Sequence, residues 1–162
     1  MQFDLEHSDM VEKLVVVDIA PGAAPDNHTA IYEALLALDL SKITARQQAE
    51  DFLKKHIADT GTLQFLLKNI SRTKDGRYAW KMNLPVLWDA YPDIMARVQG
   101  PPFDKPTLFI RGSESGYVRD VDFPEIKALF PQAELVTIDG AGHWVHADKP
   151  AELLAVVRGF LG

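Results

Sequence analysis

The 162-residue chain has no cysteine, which excludes a disulfide framework, a thiolate nucleophile and zinc–thiolate ligation, and removes thiols as a guide to its compartment. Basic charge is scarce as well: 17 Lys and Arg are scattered among 23 Asp and Glu, for a net charge of −6. A phosphate backbone is gripped by clustered Lys and Arg, so no nucleic-acid partner is expected. No apolar run approaches the ~20 residues that cross a bilayer, so no membrane partner is expected either. The opening residues MQFDLEHSD carry acids where a secretory signal has basic and then apolar residues, and the sequence therefore predicts a cytoplasmic protein. There is no internal repeat and no low-complexity segment.

What is present is apolar material in short, well-bounded pieces. At 47% hydrophobic, the chain has enough of it to bury roughly two-thirds of its unfolded surface in a compact fold. Leu14-Val15-Val16-Val17 is apolar without alternation and reads as a strand buried on both faces. Residues 106–112 (PTLFIRG) and 135–138 (LVTI) read as two further strands, each closing on a polar or glycine turn. A helix is expected at 123–130 with Ile126, Leu129 and Phe130 inward, and another after Pro150 with Leu153, Leu154, Val157, Phe160 and Leu161 on one face. Strands and helices thus alternate through the last 60 residues, which predicts an α/β fold of parallel strands with right-handed crossovers.

Residues 22–100 have a different, helical character. Helices are expected at 29–40, at 45–57 with Thr44 as N-cap, at 61–69, and at 84–98, where Pro92 breaks or kinks the middle. Lys74-Asp75-Gly76 within 71–82 signals a hairpin turn, an exposed polar loop being the competing reading. The chain divides on this basis into a sheet core, 1–21 with 101–162, and a helical insertion, 22–100.

Chemistry concentrates after the last strand. His143 is bracketed by Gly140 and Gly142 on a loop at the carboxyl end of a parallel strand, where open α/β sheets gather their reactive groups. A general base so placed needs an acceptor for its other ring nitrogen. Asp18, at the end of the Leu14–Val17 strand, and Glu114 or Asp120, beyond the 106–112 strand, are the candidates. His143, His146 and Asp148 also form an H-x-x-H-x-D spacing, but no helix fixes that pair of imidazoles, so neither a metal nor any other cofactor is expected. Ser113 and Ser115 lie in GSESG, whose glycines stand at the wrong offsets for the G-x-S-x-G nucleophile turn, and read as loop hydroxyls.

Five stretches, LVVVDIAP (14–21), FLLK (65–68), NLPVLW (83–88), residues 109–118 and GAGHWVHADKP (140–150), together resemble the α/β-hydrolase superfamily. The likeness is to the carboxyl-terminal half of a small bacterial esterase or thioesterase related to mitochondrial abhydrolase-domain proteins. It implies a partial α/β-hydrolase fold of about three parallel strands with flanking helices, residues 22–100 forming a helical cap. It makes His143 the histidine of a catalytic triad. Most of the superfamily carries the acid in a G-x-x-D pattern whose last position here is Ser115; in this branch the acid stands after the preceding strand, which selects Asp18 over Glu114. Phe65, Leu66, Trp88 and Trp144 become candidates for a substrate pocket, with packing as their competing role.

The same resemblance places the serine of the triad ahead of Met1, and no G-x-S-x-G occurs in the 162 residues. The expectation is a hydrolase of small-molecule carboxylic esters or acyl thioesters that is inactive alone and completed by an amino-terminal half. The alternative is a non-catalytic, truncated α/β interaction module or pseudoenzyme. In the family the Leu14–Val17 strand is flanked by a strand that these residues do not encode, so its edge is expected to pair with a partner chain or with a second copy in a dimer.

Overall fold

The computed structural model describes residues 1–23 and 26–162. In chain order the principal elements are α1 (Gln2–Glu6), β1 (Leu14–Val17), α2 (Thr29–Ala37), α3 (Arg46–Leu53), α4 (Thr60–Leu67), β2 (Ile70–Arg72), β3 (Tyr78–Trp80), α5 (Leu84–Asp89), α6 (Tyr91–Ile94), β4 (Thr107–Gly112), α7 (Phe123–Leu129), β5 (Ala133–Ile138), α8 (Val145–Asp148) and α9 (Pro150–Leu161). They fall into two compact units, one made of Met1–Ala24 with Ala96–Gly162 and the other of Pro25–Met95.

The first unit is built on a parallel sheet of order β1-β4-β5. β4 is its middle strand, and its sequence suits that place: Leu108 and Ile110 point to one face and Phe109 to the other, all at most 3% exposed. On one side Phe109 meets Phe103, Val118, Ile126 and Phe130, so α7 covers that face. On the other, Leu108 and Ile110 meet Ile138, Ala141 and Val145, with Leu153, Val156, Val157 and Phe160 of α9 laid over them. The inward, partly buried stripe of α9 is therefore i, i+3, i+4, i+7, and Leu154 and Leu161, expected inward, are about half exposed.

β1 departs from the expectation of a strand buried on both faces. Only Val16 is fully buried, and Val17 is exposed. The cause is position, because β1 pairs with β4 on one side and is an edge of this sheet. Its register, Leu14 on Thr107 through Val17 on Ile110, carries on to a bond from the Asp18 amide to the Ile110 carbonyl at 2.7 Å. Residues 14, 16 and 18 thus bond toward β4, and by the two-residue period of a strand Val15 and Val17 turn their N–H and C=O groups the other way.

The second unit is a helical cluster with one hairpin. Ala34, Leu35, Ala49, Leu53, Leu63, Leu67, Ile70 and Leu84 form its core. The 71–82 segment is the hairpin reading, not the polar loop: β2 and β3 are antiparallel, and Gly76 closes the turn at a φ of +82° that β-carbon-bearing residues resist. Several helix boundaries differ from expectation. Ala45, not Thr44, occupies the N-cap of α3, and Gln48 Oε1 accepts from the amides of Thr44 (2.8 Å) and Ala45 (3.2 Å). The stretch 84–98 is two short helices ending at Ile94, with Pro92 in the first turn of α6, where its missing N–H has no partner to lose.

Asp26 ties this unit together. Its carboxylate accepts from the Thr29 hydroxyl (2.7 Å), the Thr29 amide (3.1 Å), the Tyr91 hydroxyl (2.9 Å) and the His28 amide (3.3 Å). The Thr29 hydroxyl, then the Thr29 amide and Tyr91, hold its pKa below the ordinary carboxylate value. A carboxyl lowered on folding stabilises above its unfolded pKa of about 3.9 and loses that contribution as pH falls through the folded value. Asp26→Asn is therefore expected to lower the urea midpoint at pH 7, with the gap to wild type closing in acid below the ordinary carboxylate range. A gap that stays constant with pH would remove the ionised carboxylate from the account.

Candidate active site

The end of β1 and the loop after β5 meet across the end of β4. Asp18 stands just past β1 in a left-handed backbone conformation, φ +54°, which Asp tolerates better than most residues. Its carboxylate is buried, and a buried charge is costly unless it is hydrogen-bonded. The bonds are present: Oδ1 accepts from the Gly112 amide at 3.1 Å, and Oδ2 accepts from the Ser115 hydroxyl at 2.5 Å and lies 2.7 Å from His143 Nδ1. A carboxylate surrounded by donors only accepts, so Nδ1 carries a proton and the lone pair of the neutral ring sits on Nε2. The Asp18 side chain is fully buried, whereas that of His143 is 43% exposed, so the imidazole runs from a fixed inner nitrogen to an accessible outer one.

The loop that carries His143 is fixed by backbone bonds. The Ser113 amide donates to Ile138 O (3.0 Å) and the Glu114 amide to Ala141 O (2.9 Å). Ser113 Oγ takes the Gly140 amide (2.8 Å), and Asp148 Oδ2 takes that of Gly142 (2.9 Å). Gly140 turns the chain at φ +64°. Gly112 is needed for a different reason: a β-carbon there would stand 2.2 Å from Ala141 O and 2.4 Å from Gly142 O, so the two loops approach only because the side chain is absent. Over the imidazole lies Tyr117, its ring 3.9 Å from that of His143 and tilted by 20°, with its amide donating to Ser115 Oγ at 3.2 Å.

Of the acids open to His143 on sequence, Asp18 is the one beside it. Glu114 is exposed, and Asp120 is paired with Arg111 at 2.7 Å. The H-x-x-H-x-D spacing does not converge: Asp148 serves the Gly142 amide and the His146 ring lies 6.4 Å from that of Trp144. Among the described residues no group of three or more His, Asp or Glu is placed to hold a metal ion. Trp144 follows His143 at the N-cap of α8 and is 36% exposed. The other pocket candidates belong to the second unit. There Trp88 stacks on Tyr91 (6.1 Å, 11°) and touches Tyr32, Leu66 packs on the core, and Phe65 of α4 is half exposed.

Ser115, expected to be a loop hydroxyl, instead donates to the Asp18 carboxylate, and Tyr117 is the residue that sequence reasoning passed over. Ser115 was readable in principle, since a side chain at the acid position of G-x-x-D faces the place where the acid is needed. Tyr117 gave no such signal, because its contact is through space.

Parallel strands with a buried carboxylate and a glycine-flanked histidine at their carboxyl ends are an open α/β sheet that gathers its polar groups at one edge. The chain belongs to the alpha/beta hydrolase fold family, whose model matches residues 9–150. Among its relatives is Esterase YbfF of Escherichia coli (strain K12), 43% identical over 155 residues that cover 95% of this chain and 59% of that protein. Another is the sn-1-specific diacylglycerol lipase ABHD11 of Danio rerio, 39% identical over 167 residues, 97% of this chain and 51% of the relative. A solved structure described as a marine microorganism esterase superposes with a TM-score of 0.92 at 40% identity, covering 98% of this chain and 64% of that one. The chain thus spans between half and two-thirds of the length of these relatives. Among the described residues no helix is long and apolar enough to cross a membrane.

Proposed function

We infer that these 162 residues supply the acid and base of a serine hydrolase acting on small-molecule carboxylic esters or acyl thioesters, with the nucleophile contributed by polypeptide outside them. The observation that carries this reading is the His143 Nδ1 to Asp18 Oδ2 contact of 2.7 Å, which commits the inner nitrogen and leaves Nε2 for proton transfer. In the reaction Nε2 takes the proton of the serine hydroxyl as its oxygen bonds the acyl carbon. The imidazolium is held against Asp18, and the proton passes to the leaving alcohol or thiol as the acyl bond breaks. Water then repeats the sequence on the acyl enzyme. The names of the relatives, esterase and diacylglycerol lipase, support ester chemistry. In this reading residues 22–100 are the helical cap of the enzyme, Trp144 next to His143 is a candidate for contact with the acyl group, and the enzyme works in the cytoplasm.

The completing segment pairs with β1. The outward amides and carbonyls of Val15 and Val17 offer a parallel strand its ladder, and Val17 and Ile19, 37% and 45% exposed, offer it apolar surface. The test is a chimera in which the amino-terminal part of the Escherichia coli relative, up to the matched region, precedes Met1. The isolated chain is expected to show no labelling by a serine-reactive fluorophosphonate and no hydrolysis of p-nitrophenyl acetate. The chimera should show both. Labelling of the isolated chain would place a nucleophile within the 162 residues and overturn the reading, an unlabelled chimera that is folded would favour a non-catalytic module, and a dimer of the isolated chain by light scattering would give the β1 edge to a second copy.

A further inference from the structure

Tyr117 does more than fill space beside His143. Its ring lies face to face with the imidazole, 3.9 Å away and 20° from parallel. The placement is not an accident of a loose loop. The Tyr117 amide donates to Ser115 Oγ at 3.2 Å, and the same oxygen donates to Asp18 Oδ2, so the backbone that carries the ring is anchored to the carboxylate that orients the histidine. Val118, the next residue, is 2% exposed in the core under β4, which pins the other side. The imidazole is therefore gripped twice, at its edge by Asp18 and on its face by Tyr117.

An aromatic face carries negative charge density and attracts a cation lying over it, an interaction absent for the neutral ring. We propose that Tyr117 is a positioning residue whose ring face stabilises the imidazolium form of His143, the form the base reaches when it accepts the proton of the nucleophile. The proposal rests on His143 being the base of the hydrolase described above, but its test is read on the 162-residue chain without catalysis.

The charged groups are Asp18 against the ring itself and, on the loops that meet at His143, Glu114 after β4 and Asp139, Asp148 and Lys149 around the histidine loop, and all are shared by the variants. Differences between variants therefore report Tyr117. In the wild type, NMR should find the His143 ring protons shifted upfield by the overlying ring. On titration, Tyr117→Phe is expected to behave as the wild type. Tyr117→Leu, which keeps the bulk and removes the π face, should lower the ratio of imidazolium to neutral imidazole at a given pH by about threefold, the size of a partly exposed cation–π contact.

A leucine variant that titrates as the wild type, a phenylalanine variant as low as leucine, or no upfield shift in the wild type would each overturn the proposal. The last measurement needs no variant, so a leucine variant that fails to fold does not remove the test. Loss of ester hydrolysis in the chimera with these titrations intact would instead count against His143 as the base.

Discussion

His143→Ala is expected to lower kcat/KM of the chimera for p-nitrophenyl acetate by about 10³–10⁴-fold, the upper part of the range for a positioned general base. The magnitude follows from the site having one group that can take the nucleophile's proton. Asp18 is buried and its oxygens already accept from Gly112, Ser115 and His143, so it is not a substitute base. Asp18→Asn should fall in the same range for a different reason. An asparagine amide turned toward His143 donates where the carboxylate accepted, so it favours the tautomer with the proton on Nε2, where the lone pair is needed. The two single losses should not add in the double variant, because acid and base act as a unit. A loss below tenfold for His143→Ala, with fluorophosphonate labelling unchanged, would remove His143 from the mechanism.

Gly112→Ala carries the second large effect, and here the cause is steric. The new methyl would stand 2.2 Å from one backbone oxygen and 2.4 Å from another, and backbone oxygens of a bonded loop cannot swing aside as a side-chain tip can. Either the end of β4 or the histidine loop must retreat. Overpacking of this kind costs about 1–3 kcal/mol, and weakening the Gly112 amide bond to Asp18 adds to it. Urea unfolding of the isolated chain is therefore expected to lose about 2–4 kcal/mol. Since a displacement of about 1 Å between reacting groups costs on the order of 10²-fold, kcat of the chimera should fall by at least that much. Gly116→Ala is the control. Nothing lies within 4 Å of a β-carbon there, and the change should stay within about 0.5 kcal/mol. Equal effects at the two glycines would mean that the close approach at Gly112 is relieved without cost.

The strands were the most legible part of the sequence, because the 14–17, 106–112 and 135–138 runs are apolar and end on polar or glycine residues. Their extents were less so. β5 begins at Ala133, two residues before the run that announced it, since Ala133 and Glu134 are recruited by pairing with Thr107 and Leu108 and not by hydropathy. The helix expected over 29–40 stops at Ala37, because Asp39 caps a separate turn at Leu40–Lys42 through the Ser41 amide. In the site, His143 was visible from its glycines. Its acid was not settled by the residues alone, because Asp18, Glu114 and Asp120 all follow strands; the register of β1 on β4 is what sets Asp18 opposite Gly112. Tyr117 was invisible because stacking leaves no spacing in the chain.

The free side of β1 also has a kinetic meaning. Asp18 and His143 are brought together within one unit and by β4 alone, so the proposed acid–base pair is assembled before any further strand is added. If the completing segment is supplied as a separate polypeptide instead of in the chimera, hydrolysis becomes a readout of strand addition at Val15 and Val17. Its rate then saturates with partner concentration, falls on dilution, and is suppressed by an extended peptide that occupies the same ladder, while the chimera is indifferent to all three.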